Sequence, residues 1–164
     1  MGLTDSEAAW LACAIDSEGS ITYSESEQRR LDRKRPSRRV VACVHVTNDD
    51  PRYIAYAESL ISRIAGGCNR GVRVHKKGRP TMYVSVSSQP RVRVVLEQVL
   101  PYLIVKRHRA QVLIAYFDER SMAMQVRPKG KRGSAPFGAE LDRLRSNFYT
   151  DDASINPRRI IRGN

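Results

Sequence analysis

The stretch WLACAIDSEGSI, Trp10 to Ile21, runs apolar and then breaks into Asp16-Ser17-Glu18-Gly19. Upstream, Thr4-Asp5-Ser6-Glu7 fits a capping box, in which Thr4 accepts from the first helical amides and Glu7 reaches back. A helix is therefore expected from there to about Asp16. Gly19 is expected to relieve the turn that follows. From Ser20, the order Ser-Ile-Thr-Tyr-Ser alternates polar and apolar, the period of a half-buried strand. Two features of the helix stand out. Ala8 with Ala12, and Ala9 with Cys13, lie four apart and permit close approach of another helix. Its end carries two carboxylates, which the negative end of the helix dipole disfavours. Asp16 and Glu18 thus call for something positive nearby, such as a divalent metal.

The rest of the chain extends this start into a simple order of elements. RRLDRKRPSRR, Arg29 to Arg39, holds seven basic residues and one acid, with a turn at Pro36-Ser37. RVVACVHVTN alternates again, placing Val40, Ala42, Val44 and Val46 toward a core and Arg39, Val41, Cys43 and His45 outward. Asp50-Pro51 reads as N-cap and first helical residue. Ile54, Ala57, Leu60, Ile61 and Ile64 follow at helical spacing until Gly66-Gly67 stops the helix. Val72 to His75 and Met82 to Ser87 form a second hairpin around Lys76 to Pro80. Helical stretches are then expected at Ser88 to Leu100 and Leu103 to Glu119, separated by Pro101. The predicted order is α-β-β-α-β-β-α-α, an α+β class. Residues 1–121 are expected to form the core domain, and 122–164 a basic C-terminal extension rich in Gly and Pro.

Composition narrows the partners. The chain has 164 residues, with 29 Lys+Arg against 17 Asp+Glu, a net +12. Such a field favours a polyanion, nucleic acid foremost. The three cysteines lack CxxC spacing, which argues against a disulfide framework or zinc finger. No HExxH pair, membrane-length apolar run or signal-peptide pattern is present. An intracellular location is expected, in the cytoplasm or nucleoid of a prokaryote or in an organelle, with no membrane partner.

LACAIDSEG, Leu11 to Gly19, resembles the motif of the LAGLIDADG homing endonucleases. Leu11, Ala12, Ile15, Asp16 and Gly19 match the pattern, Glu18 stands at its second acid, and Cys13 replaces its usual Gly. HVTNDDPRYI, His45 to Ile54, resembles the family's second strand leading into its second helix. LPYLIVKRHRAQ, Leu100 to Gln111, resembles its later Lys-containing segment. The likeness spans roughly Leu3 to Phe117.

The resemblance implies the αββαββα fold, whose antiparallel sheets form a DNA-binding saddle. It implies Glu18 as the acid that binds Mg²⁺ or Mn²⁺ with the Ser17 carbonyl, and Asp16 as a mainly structural acid. Lys106 is implied at the active-site solvent, with Asn48 and Arg52 organising water. One motif per chain implies a homodimer, with Ala8, Ala9, Leu11, Ala12, Cys13 and Ile15 at the interface and an approximately palindromic double-stranded target. The outward residues Ser20, Thr22, Ser24, Arg39, His45, Arg73, His75 and Lys77 are expected to meet DNA, with Lys34, Arg35 and Arg38 in a loop that holds phosphates. The implied activity is a site-specific, metal-dependent double-strand cut leaving short 3′ overhangs. The alternative is a non-cleaving binder of the same fold, an intron-RNA maturase or a DNA-binding regulator.

Overall fold

A computed structural model describes residues 2–28, 37–74 and 80–125, with Arg143 and Ser146. Lys34, Arg35, His75, Lys77 and most of the expected C-terminal extension lie outside the described residues. Arg38 and Arg39 are described as backbone only. The element order is α1 (Asp5–Glu18), β1 (Gly19–Gln28), β2 (Ser37–Asn48), α2 (Pro51–Ala65), β3 (Asn69–Arg73), β4 (Thr81–Val86), α3 (Gln89–Val99) and α4 (Arg107–Gln125). The predicted α+β order is therefore the observed one.

The chain divides into two compact units, Met1–Ser26 with Arg39–Arg107, and Glu27–Arg38 with His108–Asn164. The first holds α1 to α3 and most of a four-stranded sheet in the order β1-β2-β4-β3. Both β2 and β3 pair antiparallel with β4, Val46 lying opposite Val84 and Gly71 opposite Tyr83. In the second, α4 buries Ala110, Leu113, Tyr116 and Phe117 at helical spacing. It runs on through Gln125, so the composition change after Ser121 falls inside a helix.

Local chemistry explains why these segments start and stop. The Glu7 amide donates to Thr4 Oγ1 at 3.4 Å, and the Thr4 amide donates to Glu7 Oε2 at 2.9 Å, completing the capping box. The Asp50 carboxylate accepts from the Arg52 amide at 2.8 Å, and Pro51 needs no donor at the first helical position. At the far end of α2, Gly66 takes a left-handed φ of 68°, which a side chain would disfavour.

Gly19 acts differently from expectation. Its φ is −106°, ordinary extended backbone. The glycine is needed for space: a Cβ there would lie 2.6 Å from the His45 carbonyl oxygen and 2.8 Å from Ile15 Cα. The helix also runs two residues further than predicted, to Glu18, and β1 follows directly.

The core of the first unit lies on one face of the sheet. Leu11 and Ile15 of α1 and Ile54 and Ile61 of α2 are fully buried, as are Val92, Val95, Leu96 and Val99 of α3. Beneath them Ile21, Ala42, Val44, Val46 and Val84 give the inward side of the strands. Each of the Val, Leu and Ile side chains stabilises by roughly 1.5–3 kcal/mol. Alternation then sends Ser20, Thr22, Ser24, Cys43, His45, Tyr83, Ser85 and Arg73 to the opposite face.

Candidate functional site

The end of α1 is where the unusual chemistry collects. No basic residue lies in its last turn, yet it carries two acids. The chain deals with the first acid itself. The amides of Ile104, Val105 and Lys106 donate to the Asp16 carboxylate at 2.7, 3.1 and 2.9 Å. In return, the Lys106 ammonium donates to the carbonyls of Ile15, at 2.9 Å, and Asp16. This clasp satisfies carbonyls that a helix end leaves unpaired and places a cation at the dipole's negative end. It also explains why the helix expected from Leu103 begins only at Arg107. Three consecutive amides are held by Asp16 before α4 starts at Arg107.

The second acid is left outward. Glu18 is exposed, and among the described residues its carboxylate makes no hydrogen bond or ion pair. Its backbone is anchored, because Thr47 Oγ1 donates to the Glu18 carbonyl at 2.8 Å. Ser17, beside it, donates its hydroxyl to the Cys13 carbonyl at 2.8 Å and shares a hydrogen bond with Tyr53. Burial pushes the Tyr53 phenol above its ordinary value, with the Cys13 and Glu18 charges adding to the rise.

Asn48 ends β2 and Arg52 lies in the first turn of α2, and both are engaged there. The Asp50 amide donates to Asn48 Oδ1 at 2.8 Å, and Arg52 pairs with the Asp50 carboxylate at 2.9 Å while its side chain is 90% exposed. Both expected water-organising residues thus shape a helix start. Thr47 and Tyr53, which the sequence reading passed over, reach the end of α1 in their place, beside the clasp. Neither stands in a recognisable spacing, since a β2 hydroxyl and an α2 phenol meet α1 only in three dimensions.

Among the described residues no group of three or more His, Cys, Asp or Glu side chains gathers as a metal cage. Glu18 and the Ser17 carbonyl are hard oxygen donors, the type Mg²⁺ accepts while keeping several waters. Among the described residues, one chain offers such an ion a single carboxylate. The donor chemistry fits a divalent ion, and the number of ligands fits part of a site.

The expected helix–helix surface needs correction. Leu11, Ala12 and Ile15 have no exposed area and Ala8 only 4%, so these four are used inside the chain's own core. With a step of about 100° per residue, Ala9, Cys13, Asp16 and Ser17 fall on the opposite side. There Cys13 and Ser17 are exposed and Ala9 is half-buried. They border a groove of about 440 Å³ whose other wall is Tyr102, Ile104 and Val105. Ile104 is 86% exposed, because the clasp holds its amide toward Asp16 and leaves its side chain in solvent.

On the outer sheet face the expected polar residues come together across strands. Ser20 Oγ and His45 Nδ1 lie 2.6 Å apart in a hydrogen bond. His45 Nε2 is buried without a partner among the described residues. Burial, and then the nearby Arg73 charge, lower the His45 pKa and favour the neutral ring. Thr22 and Ser24 are exposed on β1. Tyr83 and Ser85, whose strand was not read for this face, lie between β2 and β3.

No family model and no curated protein is matched by the sequence. Solved structures do match. The LAGLIDADG homing endonuclease I-GzeII in complex with its DNA target superposes with a TM-score of 0.58 at 14% identity, over 96% of this chain and 50% of that one. The meganuclease I-SmaMI bound to uncleaveable DNA gives 0.57 at 17% identity, over 87% of this chain and 43% of its own. The homing endonuclease I-CvuI, in complex with the I-CreI target, gives 0.50 at 18% identity, over 89% and 94%. This chain spans about half the length of the first two and nearly all of the third. Four helices and one antiparallel four-stranded sheet, in this order and with this topology, are the fold of the LAGLIDADG homing endonucleases.

Proposed function

We propose that the protein is a site-specific DNA endonuclease that works as a homodimer with Mg²⁺ or Mn²⁺ and makes a double-strand cut leaving short 3′ overhangs. The observation that carries this reading is Glu18. It is an exposed carboxylate at the negative end of a helix whose other acid is fully employed, beside a sheet face rich in hydrogen-bonding side chains. The net charge of +12 supports a polyanionic target. The DNA complexes among the similar structures support duplex DNA over other polyanions.

A divalent ion held by Glu18 and the Ser17 carbonyl would supply Lewis-acid stabilisation of charge building on a phosphoryl oxygen. The chain's own residues position that centre. Thr47 fixes the Glu18 backbone, Tyr53 and Cys13 fix Ser17, and the Asp16–Lys106 clasp fixes the helix end. A second copy is needed because each chain supplies one such carboxylate, whereas a double-strand cut acts on two phosphodiesters. The line of half-buried Ala9 and exposed Cys13 and Ser17, with Ile104 and Val105 beside it, is the surface we assign to that copy. A two-fold dimer then reads an approximately palindromic site.

Lys106 is explained by its carbonyl contacts alone, so its presence does not separate an enzyme from a non-cleaving binder of the same fold. Glu18 does. The test incubates the protein with a large pool of randomised DNA duplexes and Mg²⁺ or Mn²⁺, and sequences the new ends. Matched two-strand ends are expected. Their yield should fall more than about a hundredfold in Glu18→Gln, on the order of 3 kcal/mol of transition-state stabilisation. Duplex binding with no new ends in either metal overturns the enzyme reading in favour of the regulator. Retention of intron RNA in place of duplex favours the maturase.

A further inference from the structure

The outer sheet face holds one side-chain arrangement that neither composition nor motif announces. Gly71 of β3 lies directly opposite Tyr83 of β4. A Cβ at Gly71 would meet Tyr83 Oη at 2.5 Å and its ring atoms at 2.6 and 2.8 Å. The phenol therefore lies down across β3 in space that only glycine leaves open. Such an aromatic laid over a strand glycine is a known device for sheltering that glycine's backbone. Here it has a second consequence. Arg73, two residues along on the same face, places its guanidinium carbon 5.8 Å from the Tyr83 ring centroid, within cation–π range. The other side of the ring region is bounded by His45, at a ring-centroid distance of 6.4 Å, which Ser20 holds in turn.

We propose that Tyr83, laid across Gly71, is a positioning residue that holds the Arg73 guanidinium ready to read one guanine in each half of the DNA target. The inference rests on the duplex-binding reading above and adds to it a specified base and a mechanism of preorganisation. Arginine offers a planar fork that matches the O6 and N7 acceptors of guanine, the commonest specific contact in the major groove. A free arginine on a strand loses rotamer freedom when it docks. One resting on an aromatic face has lost part of that freedom already, which raises selectivity without a new contact. Lysine at the same place would keep the charge and lose the fork. Tyr83 itself need not touch the base: the ring, not the hydroxyl, is the platform.

The experiment selects bound sequences from a randomised duplex pool in EDTA, so that binding is read without cutting. The wild-type chain is compared with Arg73→Lys, Tyr83→Phe, Tyr83→Leu and Gly71→Ala. Wild type and Tyr83→Phe should both show guanine at one position per half-site. Arg73→Lys should flatten that preference by at least about fivefold. Tyr83→Leu removes the platform, and Gly71→Ala lifts the ring while leaving it in the sequence. Each should weaken the same guanine preference by about two- to fivefold and leave other positions unchanged. Their melting temperatures, measured in parallel, should stay close to wild type. An unchanged guanine preference in Gly71→Ala and Tyr83→Leu overturns the positioning role. So does an equal flattening of all positions, which marks a general loss of structure. A wild-type chain that retains no duplex removes the duplex-binding reading and this inference together. A clear wild-type motif that neither variant alters removes the inference alone.

Discussion

The two acids of the α1 end, two residues apart, should respond to substitution in opposite ways. Asp16 accepts three backbone amides, from Ile104, Val105 and Lys106, at 2.7 to 3.1 Å. A hydrogen bond to a charged group has a net worth of about 1.5–3 kcal/mol, and three would sum to more than the site can deliver. Ile104 and Val105 are well exposed, so two of the three amides regain water when the acceptor is removed. Asp16→Ala should therefore cost about 2–4 kcal/mol, and Asp16→Asn, with one neutral acceptor oxygen, about half of that. For a chain of this size the alanine variant should melt about 5–15 °C lower. Glu18→Gln changes an exposed side chain and should stay within about 0.5 kcal/mol of wild type. Activity should reverse the ranking, with Glu18→Gln folded and inactive. Urea unfolding can be followed through Trp10, the chain's single tryptophan, whose ring lies 4.9 Å from Tyr53 and 4.6 Å from Tyr56. Equal stability of Asp16→Ala and wild type, or equal destabilisation by Asp16→Asn and Glu18→Gln, would refute the division between a structural and a working acid.

Other expected outcomes follow from the same geometry. Lys106→Met leaves the Ile15 and Asp16 carbonyls without the ammonium and should cost about 1–3 kcal/mol in urea unfolding. If Lys106 also acts on DNA, cleavage by the folded variant falls further than stability accounts for. Ile104→Asp places a charge on the surface assigned to the second copy; light scattering should show more monomer, with the fold unchanged by circular dichroism. The Arg63 guanidinium, helped by the Thr4 amide, holds Glu7 down to about 2. Its folded value lies below the ordinary carboxylate one, so its contribution is present above about pH 4.3 and is lost as pH falls toward 2. Glu7→Gln should flatten the fall of melting temperature with acid over that window and leave the neutral plateau nearly level.

What could be read from the sequence was local. The capping box, the Asp50-Pro51 start and the glycine stop at Gly66 depend on residues within four positions, and the structure reproduces each. Strand alternation placed Ala42, Val44 and Val46 inward for the same reason. Four of the six expected interface residues, Ala8, Leu11, Ala12 and Ile15, lie in the core, which spacing could not show because both small pairs of α1 recur at the same interval. Only the burial of Leu11 and Ile15 decides that Ala8 with Ala12 face the core and Ala9 with Cys13 face away. The groups of the clasp lie 88 to 91 residues apart in the chain, a separation no periodicity reports. Tyr83 over Gly71 depends on the β3–β4 register, which hydrophobic pattern leaves open on the solvated face.

The position of the clasp explains how one short motif can carry a fold, a surface and a site together. A helix that ends in two acids is electrostatically unfavourable by itself. The chain offsets that cost once, at Asp16, with three amides and one ammonium. Holding those amides inward turns Ile104 and Val105 outward, beside Ala9 and Cys13. The apolar surface assigned to a second copy is therefore a by-product of neutralising the first acid. With Asp16 spent, Glu18 is left with its backbone fixed by Thr47 and its carboxylate in solvent. The two roles do not exchange in this geometry, because Glu18, two residues on, stands about 200° around the helix from Asp16, which takes all three amides. The order Asp-Ser-Glu-Gly thus has a direction: the first acid builds the platform, and the second stands on its edge.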